Sequence, residues 1–320
     1  MSERRVSEHR RAPQAPEERS EPGATQRLSV VTASRPATAG SPTRRRRRRR
    51  PGSVAANIAA LFVFGFFAFP VYWMASTALK PSGDIRTFDV KLFPTSLTLE
   101  HFRTAVSTAG FWTYFRNSAI VALSVTVLAV FVALLAAAAV ARFRFRGRKA
   151  YLLAILIVQM VPLEALVIPM YLTLRDVDLL DVLPVLVATY MAFVLPFTVW
   201  TLRGFVAALP VELEEAAMID GASRWGAFWR ITFPLMAPGL VATAVFAFIQ
   251  AWNEFILALT LMERDNQTLP VWLGTFKTAQ GTDWGGLMAG STIFAVPVVI
   301  FAVVLQGRIA AGAAAGAVKG

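Results

Sequence analysis

The chain of 320 residues contains no cysteine and two histidines, and only 16% of its residues are charged. Without cysteine there is no disulfide, no thiol nucleophile and no thiolate metal ligand. His9 and His101 stand alone in sequence, neither with a companion at metal-ligand spacing, so no metal site is expected. A Gly-x-x-x-x-Gly-Lys-Ser/Thr loop is also missing, which leaves no phosphate cradle of that kind in the chain. No hydrophobic run holds a histidine, which argues against an intramembrane hydrolase, and no repeated halves mark a secondary transporter.

What the chain has is apolar length. Hydrophobic residues make up 56% of it, and six segments approach or exceed the roughly 20 residues a helix needs to cross the hydrocarbon of a bilayer. They run over residues 53–79, 117–141, 150–174, 182–202, 233–262 and 284–306, interrupted by only two charges, Glu164 and Glu254. The fold class expected is therefore an all-α membrane protein with six transmembrane helices. The first run exceeds a signal-peptide core and its leader is too long, so it should stay as an anchor.

The net charge of +12 is uneven. Before Ser53 there are 14 arginines against 5 glutamates, including the unbroken run Arg44 to Arg50. Such a run can bind nucleic acid, but its place just ahead of the first span reads as a cytoplasmic topology signal, and no nucleic-acid partner is expected. The residues around it are poor in large apolar groups, so residues 1–52 are predicted to form a disordered basic tail. Arg142, Arg144, Arg146, Arg148 and Lys149 crowd the loop between the second and third spans with no acid among them. With six spans, both termini and that loop fall on the cytoplasmic side.

The loop between the fourth and fifth spans carries the most specific signal. Pro210 can open a helix whose first turn holds Glu212, Glu214 and Glu215, as a helix N-terminus favours. Asp220 and Gly221 should end it, Ser223 can cap the next helix, and Pro234 should stop that one. The two helices form a short elbow whose apolar face is Ala216, Ala217, Ile219, Ala222 and Phe228. An amphipathic loop lying on the membrane surface is the plain alternative. Glu215 either meets a basic group or merely suits the helix N-terminus.

Glu215-Ala216-Ala217, then Gly221, Ile231 and Pro234, resemble the EAA loop of the membrane subunits of ATP-binding-cassette (ABC) importers, with Phe233 where that pattern has Leu. Asn117-Ser118 resembles the start of their transport domain. Trp252-Asn253-Glu254-Phe255, Thr268-Leu269-Pro270 and the terminal Gln306, Gly312 and Gly316 to Gly320 are similar to the carbohydrate group, in particular its maltose-permease-like second membrane subunit. The resemblance implies a type I ABC importer permease fold, divided as residues 53–116 (first helix and outer loop), 117–306 (transmembrane domain with its EAA loop at 210–234) and 307–320 (a cytoplasmic tail). It also implies a coupling role for Glu215, Ala216, Ala217, Asp220, Gly221, Ala222, Phe228, Ile231 and Pro234. The chain is then a transport subunit and no enzyme. It has no cofactor of its own; ATP and Mg bind a partner ATPase. The implied partners are a second permease subunit, two cytoplasmic ATPase subunits, an extracytoplasmic solute-binding protein, a small sugar or oligosaccharide and membrane lipid, at the bacterial cell membrane. Asp178-Leu179-Leu180-Asp181 departs from the pattern, with Asp where Gly is usual.

Ionisable and polar residues inside spans are functional candidates by default. Gln250, Asn253 and Glu254 share a helical face, Trp252 offers a ring for a sugar, and Glu164 sits in the third span. They either line a passage or hydrogen-bond neighbouring helices. An ABC permease for a polyamine or phosphonate, or a secondary transporter, are the competing functions.

Overall fold

The computed structural model of the chain describes residues 51–263 and 265–317. The expected disordered tail, apart from Pro51 and Gly52, and the last three residues lie outside the described residues. Two units divide the chain, Met1–Ala55 and Ala56–Gly320; apart from the first residues of the first helix, the features below belong to the second.

Helix α1 (Pro51–Ala78) leads through the short α2 (Ser82–Ile85) and α3 (Glu100–Ser107) to α4 (Phe111–Arg142). Then come α5 (Arg148–Val158), α6 (Leu163–Asp176) and α7 (Leu183–Ala208). The elbow is α8 (Glu212–Ile219) and α9 (Arg224–Ala227), continued by a π turn (Phe228–Thr232) and α10 (Phe233–Leu235). Beyond it lie α11 (Ala237–Asn253), α12 (Ile256–Leu261), α13 (Leu269–Leu273), a two-stranded antiparallel hairpin of β1 (Lys277–Thr278) and β2 (Gly281–Thr282), and α14 (Trp284–Ala317).

Four helices, α1, α4, α7 and α14, are each long and apolar enough to cross a membrane. The third and fifth expected spans are not straight. Arg148–Val158 and Leu163–Asp176 meet at 94°, and Arg224–Leu235 and Ala237–Asn253 at 71°, so six crossings result only if each bent pair counts as one. The first bend follows from Pro162, which lacks an N–H and drives Val161 away from helical angles. Pro234 does not stop its helix: it sits in the first turn of α10, where its missing N–H costs little, and the turn comes after it at Met236. Likewise α14 continues past Gln306 to Ala317, where a tail was expected.

Helices α4 and α7 form the centre. Val121, Val125, Ala129, Ala133 and Ala137 make a buried row at every fourth residue of α4, and Leu186, Tyr190, Val194, Thr198, Leu202 and Val206 make one on α7. Rows of that spacing are the ridges by which helices interlock. Lipid tails are as apolar as leucine, so burial alone gives these helices little reason to associate; small side chains allow the close approach that does. Gly239 of α11 shows how close: a Cβ there would lie 2.5 Å from the Phe205 ring.

Candidate coupling elbow and polar helix end

Helix α8 ends as its sequence predicts. Gly221 takes φ +90°, the Ala222 N–H bonds the Ala217 carbonyl at 3.0 Å and the Gly221 N–H bonds the Met218 carbonyl at 3.1 Å. This pair of bonds closes a helix whose next residue turns left-handed, a geometry glycine adopts without steric cost. Ser223 then accepts the Gly226 N–H at 3.1 Å and starts α9.

Glu215, Ala216, Ile219, Asp220 and Gly221 are exposed on the elbow, with Ala217 and Ala222 half-buried behind them. Ile219 is 86% exposed and Trp225 61%, which makes these two the large apolar groups at its tip. Phe228 is not on that face. It is buried beneath the elbow with Leu134, Ala137, Leu202, Val206 and Met236, because the π turn rolls it inward onto α4 and α7; Ile231 is half-buried nearby.

The brace of the elbow escaped sequence reasoning. Arg142, in the last turn of α4, donates from Nε to Glu214 at 2.8 Å and from a terminal nitrogen to the Leu209 carbonyl at 3.2 Å. The Thr232 hydroxyl donates to the same Glu214 oxygen. One carboxylate thus joins the end of α4, the start of α8 and the π turn, with both charged side chains largely buried (13% and 18% exposed). A cavity of about 800 Å³ opens beside them, walled by Arg144, Arg148, Met218 and Trp225. Both partners carry charges that the sequence explains otherwise, Arg142 by topology and Glu214 by the helix N-terminus. No local signal links them.

At the other end of α11 the helix breaks at Glu254, whose backbone is extended. Its carboxylate accepts the N–H groups of Leu257 at 2.8 Å and Ala258 at 3.2 Å, capping α12. Asn253 and Gln250 are exposed, and Asn253 donates to the Ile249 carbonyl at 2.8 Å. Trp252 is instead enclosed, 2% exposed, stacked between Phe248 and Phe294 and donating to the Phe294 carbonyl at 3.0 Å. Its ring therefore has no open face for a sugar on this chain. Glu164 is exposed in the first turn of α6, at the bend, and shares no hydrogen bond with this cluster.

The following loop is clamped from two sides. Asn117 donates to the carbonyls of Asp265 and Gln267 at 2.8 and 3.0 Å, and Ser118 accepts the Leu269 N–H at 2.7 Å. Asp181 accepts the Glu263 N–H at 2.8 Å, and its carbonyl takes the Asn266 amide at 2.9 Å. Asp178, which stands where the resemblance has Gly before Leu, has positive φ, 54°, and so has Asp181 at the end of the same turn, 60°. Aspartate tolerates those angles better than most residues, so the turn keeps a left-handed geometry without glycine.

Among the described residues no group of histidines and carboxylates could hold a metal ion.

Residues 127–314 match the family described as binding-protein-dependent transport system inner membrane component. The diacetylchitobiose uptake system permease protein DasC of Streptomyces coelicolor is 48% identical over 84% of this chain and 98% of its own length. The trehalose transport system permease protein SugB of Mycobacterium tuberculosis is 37% identical over 81% and 94%. The arabinooligosaccharides transport system permease protein AraQ of Halalkalibacterium halodurans is 32% identical over 82% and 95%. The fold matches a chain in the crystal structure of a bacterial ABC transporter involved in the import of the acidic polysaccharide alginate, with TM-score 0.66 and 21% identity over 80% of this chain and 95% of that one.

Proposed function

The chain belongs to the binding-protein-dependent transport system inner membrane components, multi-pass permease subunits of ABC importers, and from that premise we propose that it carries a small oligosaccharide across the bacterial cell membrane as one half of a two-permease passage. A partner ATPase, binding ATP and Mg²⁺, drives the cycle from the cytoplasm, one copy beneath each permease. An extracytoplasmic binding protein delivers the sugar. Both termini of this chain and its elbow are cytoplasmic, an orientation supported by Arg142, Arg144, Arg146, Arg148 and Lys149 at the ends of α4 and α5.

The observation that carries this reading is the elbow: a stiff turn with Ile219 and Trp225 exposed at its tip, tied by Glu214 to the end of a central helix. Force applied at the tip reaches α4 through a hydrogen-bonded carboxylate, so movement of the docked ATPase becomes movement of the α4–α7 pair. The sugar class is supported by the relatives, whose names specify diacetylchitobiose, trehalose and arabinooligosaccharides. Glu164, Gln250, Asn253 and Glu254 are the polar groups offered to the passage, Glu254 with its carboxylate already engaged by α12. The test is uptake of labelled diacetylchitobiose and trehalose into vesicles holding the reconstituted complex. Accumulation should require ATP inside and binding protein outside. Accumulation driven by an ion gradient without the ATPase would overturn the proposal.

A further inference from the structure

Between the ends of α1 and α14 and the α2 segment lies a second cavity, of about 390 Å³, walled by Trp73, Thr77, Lys80, Asp84, Arg86 and Trp284 among others. Lys80 is 2% exposed. Its ammonium donates to the Lys91 carbonyl at 2.6 Å and sits 4.2 Å over the Trp73 ring. Neither partner is an anion, and an ammonium has three hydrogens to place. The neighbouring carboxylate, Asp84, is already occupied: Lys91 pairs with it at 2.7 Å and the Thr95 hydroxyl donates to it at 2.6 Å, contacts that hold its carboxyl below the usual carboxylate range. Arg86, whose guanidinium also donates to the Thr282 carbonyl, adds a third positive charge at the exposed rim, against the single carboxylate of Asp84. Thr77, 7% exposed, lines the same cavity with a buried hydroxyl that has no hydrogen-bond partner. Asp84 is near enough to feel the Lys80 charge, but this one carboxylate is paired directly with Lys91 and shared between the two lysines. A buried cation with only part of a counter-charge is costly, and so is a buried hydroxyl without a bond. An anion with hydrogen-bonding oxygens would relieve both.

We infer that this cavity binds the phosphate headgroup of an anionic phospholipid. A lipid is favoured over free phosphate by what adjoins the site. Trp73 and Trp284 lie at the ends of two apolar helices, where aromatic side chains mark the membrane interface. The flank of α1 leading away from it exposes Phe62, Phe66 and Phe69, a surface for acyl chains. That the headgroup comes from the outer leaflet rests on the orientation proposed above; binding itself does not.

The intact importer in detergent, titrated with phosphatidylglycerol or with phosphatidylcholine of the same acyl chains, is read by native mass spectrometry. An importer has many lipid contacts, so the variants decide. Wild type should retain phosphatidylglycerol about tenfold better than phosphatidylcholine. Arg86→Gln, at the exposed rim, and Thr77→Val, close in shape, should each weaken that preference, and the pair should abolish it. Inorganic phosphate at matched concentration should not displace the lipid. Displacement by phosphate would make this a free-anion site, and an unchanged preference in the double variant would overturn the assignment altogether. Lipid retention needs no transport, so loss of uptake with retention intact would count against the function proposed above and not against this site.

Discussion

Arg142 and Glu214 are 72 residues apart in sequence and 2.8 Å apart in space, joining the last turn of α4 to the first turn of α8. Removing one partner of a largely buried pair strands the other charge and costs roughly 3–5 kcal/mol, whereas replacing both with apolar groups is far milder. Glu214→Ala should therefore lower the thermal midpoint of the complex and reduce uptake per assembled transporter. Arg142→Leu combined with Glu214→Leu should recover most of the midpoint but little of the uptake. Recovery of both by the double variant would show that the pair only holds the fold.

Gly221 has φ +90° and open space around its missing Cβ. Any penalty for a side chain there is thus backbone strain, about 1–3 kcal/mol for a residue forced into the left-handed region. Gly221→Val should uncouple transport, leaving ATP hydrolysis insensitive to the loaded binding protein, while Gly221→Asn should largely preserve stimulation because asparagine accepts that geometry. Normal stimulation in the Val variant would remove the elbow's stiffness from the mechanism.

Cysteine placement reads the orientation directly, because the native chain has none. Ser107 in α3 and Asp220 on the elbow are both exposed. An impermeant thiol reagent added outside cells should label Ser107→Cys and spare Asp220→Cys. The reverse pattern would place the elbow away from any cytoplasmic ATPase.

The turn at Gly221 and the cap at Ser223 were legible because their geometry is set by residues within one turn of each other. The spans were legible as apolar length, but their bends were not: Pro162 signals a break without giving its angle, and the π turn at Phe228–Thr232 has no proline or glycine within it. That turn is also why Phe228, read as part of an exposed face, is buried. Arg142 with Glu214, and Asn117 with the loop at 265–267, depend on how helices pack. Periodicity along one segment carries no record of such pairs. Trp252 shows the limit from the other side: Gln250 and Asn253 close to it on α11 are polar and exposed, yet its own position faces Phe294 of α14.

Glu254 gives the sharpest separation between holding the fold and touching cargo. Both of its oxygens accept backbone N–H groups of α12, so a substitution is felt first as loss of a helix cap, worth about 0.5–2 kcal/mol. Glu254→Gln keeps one acceptor oxygen and should retain most stability. Glu254→Leu keeps none, leaving the Leu257 and Ala258 N–H groups without their partner, and should lower the thermal midpoint and the yield of assembled complex. The remaining question is decided by uptake normalised to assembled complex and measured across sugar concentration. If the carboxylate serves only α12, the Gln variant should show an unchanged half-saturating concentration and near-normal maximal rate. A several-fold rise in half-saturating concentration in Glu254→Gln, with stability intact, would mean that the charge itself meets the sugar and that capping α12 is the lesser of its two tasks.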